Sequence, residues 1–285
     1  MKNKFFRTMF GLSWLVIFAL IAFTSCEKDD DNDDDEEPIL VEDGLYIVGP
    51  ATPFSDLDPN GALLTTKNEV VQEERAELKD IYISLKGGEN FHIESVAGAE
   101  RQTWGPGADF AVVPEAERDI DEPKVDFWRG SIEEGTATFT VPNDGLYHIA
   151  MDTELNVVVV APVQWGVIGA ATPNGWGSST PLELQEFNQD AMTFEKSEVI
   201  MVVGDYKFRY SDGWKINLDT EYDLGGGNTG IKVNTNYGGT LDNLVPGGDN
   251  MSLEENGVYT VSVTWSLEEG ISATVTKTGD YTPPS

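Results

Sequence analysis

Beyond residue 43 the chain alternates apolar and polar positions in short runs. Tyr259, Val261, Val263 and Trp265 fall on one side of an extended segment, with Thr260, Ser262 and Thr264 on the other. That period of two predicts a half-buried strand. Tyr206, Phe208 and Tyr210 share a side in the same way, which turns Lys207 and Arg209 to the opposite one. Glycine and asparagine clusters at 224–230 and 237–250 predict loops between strands. The charged stretch 70–81 is the one place that suggests a helical turn. Many short strands divided by turn residues predict an all-β chain built of immunoglobulin-like β-sandwiches.

The N-terminal pattern is different. Lys2, Lys4 and Arg7 precede an almost unbroken apolar run over residues 9–23. As a helix that run rises only about 22 Å, short of a hydrocarbon core of roughly 30 Å, which predicts a signal peptide over 1–25 rather than a spanning helix. Phe23-Thr24-Ser25-Cys26 closes it with small residues before the chain's single cysteine, as a lipoprotein signal peptidase requires. Cys26 is therefore expected to carry lipid, and with no second cysteine it has no intramolecular disulfide partner. Residues 27–37 hold nine acids and one lysine. Such a run repels itself and predicts a solvated linker over 26–43.

The remainder repeats itself. Val48-Gly49-Pro50-Ala51-Thr52-Pro53 returns as Ile168-Gly169-Ala170-Ala171-Thr172-Pro173; Gly88-Glu89-Asn90-Phe91-His92-Ile93 as Gly204-Asp205-Tyr206-Lys207-Phe208-Arg209; and Asn143-Asp144-Gly145-Leu146-Tyr147 as Glu255-Asn256-Gly257-Val258-Tyr259. The matches are collinear, which predicts a tandem duplication with one sandwich over 44–161 and a second over 162–285.

Charge and composition exclude several function classes. The net charge is −32, and removing the three basic residues of the leader lowers it further. Nucleic acid, which needs Lys and Arg against its phosphates, is not an expected partner. Catalysis is poorly supplied, so no enzyme is expected: His92 and His148 stand near no nucleophile motif, and Gly225-Gly226-Gly227 lacks the lysine of a phosphate loop. Asp56, Asp58 and Asn60 copy the first half of a calcium loop, but Lys67 stands where the bidentate acid belongs. An ordinary turn is the favoured reading there, and no cofactor is expected.

The aromatics say more. A sugar ring stacks its C–H face on an indole while its hydroxyls seek nearby donors and acceptors. Trp176 lies in the turn sequence Thr172-Pro173-Asn174-Gly175-Trp176-Gly177, and Trp214 in Ser211-Asp212-Gly213-Trp214-Lys215-Ile216-Asn217. Both are loop positions flanked by polar residues, so they are candidates for a stacking surface, or alternatively caps of the core. Trp165 and Trp265 occupy strand positions and predict core. The first copy has Phe54 in place of Trp176, and Trp104 approximates Trp214.

At these residues the chain resembles the SusE/SusF family of starch-utilisation lipoproteins. The resemblance covers most of the second copy and, in the first, only the strands. It implies tandem β-sandwiches that hold starch-like polysaccharide or oligosaccharide at the outer face of the outer membrane without cleaving it. A TonB-dependent transporter complex is the implied partner. Trp176 and Trp214 would form the platform, with Lys207, Arg209, Asn174 and Asn217 as polar partners. The competing expectation is a structural or adhesive surface protein whose sandwiches bind protein.

Overall fold

Extended chain accounts for all regular structure beyond two single 3-10 turns among residues 41–284, which the computed structural model describes. The leader, Cys26 and most of the acidic linker lie outside the described residues. Among those described, no helix is long and apolar enough to cross a membrane. The chain is all-β and its strand pairs are antiparallel.

Residues of the first repeat fill one continuous sheet. Its order runs Gly44–Val48, Asn90–Ala97, Glu100–Pro106, Trp128–Glu134, Val157–Pro162, Gly145–Asp152, Glu73–Leu85, Leu64–Asn68. One strand folds that sheet into two layers. Residues 128–131 pair with Val157–Pro162, whereas residues 132–134 have crossed to Glu100–Pro106. Ile47, Phe91 and Ile93 from one layer meet Ile83, Ile149 and Val158 from the other in a common core.

The second repeat divides likewise. Trp165–Ile168, Gly204–Tyr210, Asn236–Thr240 and Asn243–Pro246 form one sheet, and Ala191–Met201, Gly257–Ser266 and Gly270–Gly279 belong to another. The expected faces are present: Tyr206, Phe208 and Tyr210 are buried, as are Tyr259, Val261, Val263 and Trp265. In each half a tyrosine closes the turn into its strand. Tyr147 Oη donates to the Asn143 carbonyl at 2.8 Å and Tyr259 Oη to the Glu255 carbonyl at 2.9 Å. These are the tyrosine corners of a sandwich, and they explain why the Gly-x-Tyr pattern recurs.

Two local expectations are overturned. Residues 73–85 are a strand, not a helical turn: Ile83 and Leu85 enter the core while the charged end continues as a hairpin with Leu64–Asn68. The glycine-rich stretches are hairpins as well. Gly225, Gly226 and Gly227 all take positive φ and turn Lys215–Gly225 back onto Asn228–Asn234, while Tyr237 and Gly238 pair with Pro246 and Val245. Glycine marked the tight reversal between strands rather than a long loop.

The halves also share a core. Strand Gly145–Asp152 is buried on both faces: Tyr147, Ile149 and Met151 point into the first core, Leu146 and Ala150 into a cluster dominated by the second half. His148 lies on that shared face. Its Nδ1 meets Tyr210 Oη at 2.7 Å, its Nε2 meets Asp80 Oδ2 at 3.0 Å, and its ring stacks on Tyr82 at 4.2 Å.

Candidate functional site

The repeated Gly-x-Ala-Thr-Pro sequence is a turn that carries the strand end past its neighbour. Gly169 sits at φ +147°, and a Cβ there would lie 2.2 Å from the Asp205 carbonyl oxygen. In the first half Gly49, at φ +131°, would meet the Asn90 carbonyl at 2.8 Å. Only glycine allows that approach. The threonine then locks the turn: Thr172 Oγ1 donates to the Gly169 carbonyl at 2.9 Å, and Thr52 Oγ1 to the Gly49 carbonyl at the same distance.

The turn presents different side chains in the two halves. Phe54 folds inward and is buried, whereas Trp176 projects outward and remains 42% exposed. Beside it, residues 210–213 reverse the chain with Ser211 and Asp212 both in the left-handed region, at φ 50° and 55°. That reversal delivers Trp214. The two indoles stand 6.2 Å apart between centroids with their planes tilted by 33°. Trp214 is half-buried.

Arg209 backs this pair. Its guanidinium lies 4.5 Å from the centroid of the Trp214 ring, so one face of that indole is occupied by a cation. The side chain is only 5% exposed. Its Nε donates to Ser179 Oγ at 2.9 Å and its Nη2 to Asp212 Oδ1 at 2.8 Å. Burial pulls the Arg209 pKa down, against the opposing charge of Asp212. For Asp212 burial acts upward, but bonds from the Ser179 hydroxyl and amide together with the Arg209 charge hold its carboxyl below the usual value. Lys207, half-buried on the same strand, donates through Nζ to Asn236 Oδ1 at 2.9 Å, and burial lowers its pKa. Asn236 in turn donates to the Trp214 carbonyl at 3.0 Å.

Of the residues expected from sequence, Trp176, Trp214 and Arg209 come together, and Lys207 connects through Asn236. Asn174 is exposed in the Trp176 turn. Asn217 differs: it is 4% exposed, its backbone is held by Glu122 and Arg129, and its Oδ1 is buried without a partner among the described residues. It offers nothing to solvent. Ser179 and Asp212 were missed, because neither stands out in sequence until the fold sets them against Arg209.

The first half is wired differently at the matching place. Glu94 occupies the register position of Arg209 and binds Arg101 Nη2 at 2.6 Å and His92 Nε2 at 3.1 Å. Arg101 also holds Asp56 at 2.7 Å, and that contact keeps the Asp56 carboxyl below its ordinary pKa. Trp104 is half-buried with its Nε1 donating to Ser95 Oγ at 3.0 Å. Asp58 caps a 3-10 turn through the Asn60 amide at 2.8 Å. The half-calcium sequence is thus a turn tied to Arg101, and no metal-holding group of three His, Cys, Asp or Glu occurs among the described residues.

A groove of about 520 Å³ runs between the halves, lined by Trp128, Tyr147, Leu182 and Phe194 among others; neither Trp176 nor Trp214 lines it.

No family model and no curated protein matches the sequence. Among solved structures, SusF from Bacteroides thetaiotaomicron is similar at 17% identity, over 85% of this chain and 50% of that one, with a TM-score of 0.24. The chain therefore spans half the length of that neighbour, and a superposition this loose carries no argument about ligand or fold.

Proposed function

We propose that the chain is a non-catalytic glycan-binding lipoprotein, anchored through Cys26 at the outer membrane and facing outward. It holds a starch-like polysaccharide for uptake through a partner transporter. The observation that supports this reading is the tilted Trp176–Trp214 pair with a buried arginine stacked behind one ring. Two flat apolar surfaces at 33° accept successive sugar rings of a bent chain, each through its C–H face. Lys207 retains ammonium donors beyond the one given to Asn236, and Asn174 is exposed with one amide hydrogen directed at the Ser179 carbonyl, so both keep capacity for sugar hydroxyls. Holding Arg209 by Ser179 and Asp212 keeps the platform preorganised, which lowers the ordering cost of binding.

Alanine at Trp176 and at Trp214, singly, tests this. Loss of one ring is expected to weaken retention in starch-loaded gels by about tenfold to a hundredfold, given roughly 1–3 kcal/mol per stacked ring. The Trp176→Ala melting temperature should fall only slightly, since the ring lies at the surface outside the core. A large fall in melting temperature with binding intact would make the tryptophans scaffold and leave an adhesive surface protein as the better reading.

A further inference from the structure

The loop that carries Trp214 does not stand on its own half alone. Residues 119–124 of the first half grip it at several backbone points. The Trp214 and Lys215 amides both donate to the Asp121 carbonyl, at 2.7 and 3.2 Å, and the Lys124 amide donates to the Ser211 carbonyl at 2.8 Å. Lys215 Nζ and Asp121 Oδ2 pair at 3.0 Å. Packing is close as well: a Cβ on Gly213 would lie 2.9 Å from the Pro123 nitrogen.

At the base of this contact sits Glu122, a carboxylate only 1% exposed. Its Oε1 accepts from Arg129 Nη1 at 2.8 Å and from the Asn217 amide at 2.9 Å, while its Oε2 accepts from the Asp119 amide at 3.0 Å. Arg129 Nη1 also donates to the Asn217 carbonyl at 2.8 Å. The Glu122–Arg129 ion pair of the first half therefore fixes both backbone polar groups of Asn217, three residues beyond Trp214, and the same loop fixes the Trp214 amide itself. Backbone bonds locate a peptide unit, and the indole moves with it. A buried charge satisfied by several hydrogen bonds is also the kind that tolerates no slippage, because any displacement orphans it.

We propose that Glu122 is a positioning residue for the tryptophan pair, so that the binding surface displayed by the second half is assembled by the first. The affinity part of this proposal rests on the glycan reading above; the positioning part does not.

The test uses the full chain labelled with 5-fluorotryptophan, with the Trp214 fluorine signal assigned by Trp214→Phe. In Glu122→Ala that signal should shift and broaden while the Trp265 signal, from a strand of another sheet, stays in place. Amylose retention should fall about tenfold, in line with an unpaired buried group displacing the loop. Glu122→Gln, which keeps a carbonyl acceptor for Asn217, should recover most of both effects. If Glu122→Ala does not fold, Arg129→Gln decides the matter, since it frees the same carboxylate from outside the loop. An unmoved Trp214 signal in a folded Glu122→Ala or Arg129→Gln protein overturns the proposal. A moved signal in a protein whose unsubstituted form binds no glycan upholds the positioning and removes the glycan reading instead.

Discussion

Asp212 joins the electrostatics of the site to its backbone geometry. It sits at φ 55°, holds Arg209 and Ser179, and has a carboxyl below its ordinary pKa. A carboxylate whose folded pKa is depressed stabilises the fold above its unfolded value near 3.8. That contribution is lost as the pH falls through the lower, folded value. Asp212→Asn should therefore flatten the acid limb of melting temperature against pH. At neutral pH it should weaken glycan retention, because Arg209 loses its counter-charge beneath Trp214. Asparagine tolerates a left-handed φ, so the turn itself is preserved. An acid limb identical to that of the unsubstituted protein would show that Asp212 carries none of this linkage.

Among the elements, strand Glu73–Leu85 shows why its own sequence was misleading. Its charged end reads as solvated helix, yet Arg75 enters a clamp: Nε donates to Asp152 at 2.6 Å, and the guanidinium lies over the Tyr222 ring of the second half at 4.7 Å. The Asp152 bond holds the Arg75 pKa above its usual value. Asp152 is fully buried, so among the described residues Arg75→Met leaves its carboxylate supported only by the Glu154 and Leu155 amides. The expected cost is about 3 kcal/mol, or roughly 10 °C in melting temperature for a body of this size. Arg75→Met combined with Asp152→Asn should regain much of it, and a double-mutant cycle with no coupling would remove the clamp from the account. Strands with one wet face, such as Gly257–Ser266, were legible because alternation records burial. The run Leu146-Tyr147-His148-Ile149-Ala150-Met151 lacks that alternation, and its meaning, a strand covered on both faces, emerges only with the second half in place. Likewise the tryptophans could be chosen from their turns, whereas Glu122 could not. One buried acid among fifty Asp and Glu has no local signature, and its partner Asn217 lies 95 residues away.

At the scale of the molecule, strands of residues 44–162 pair only with one another among the described residues, as do those of residues 165–279, while the apolar cluster around Trp165, Tyr210 and Tyr237 also takes in Leu146, Ala150 and Val159 of the first half. We propose that each repeat folds as its own sandwich and that this shared face adds to the stability of the pair. A fragment of residues 163–285 should then give a β-sheet circular dichroism spectrum but unfold at lower denaturant than the full chain. An equal midpoint would assign the shared face no stabilising role; an unfolded fragment would make the two copies one folding unit. The twin Gly-x-Ala-Thr-Pro turns have a consequence for how such a protein can change over generations. Their hold on the chain comes from a glycine, a threonine hydroxyl and backbone amides, none of which depends on the side chain displayed just beyond. What lies just beyond is free to vary only where it faces outward: Trp176 stands at the surface, whereas Phe54, which closes the first turn, is buried in the core. A lineage can therefore alter the second turn's display by a single codon while the scaffold goes on folding, but not the first's.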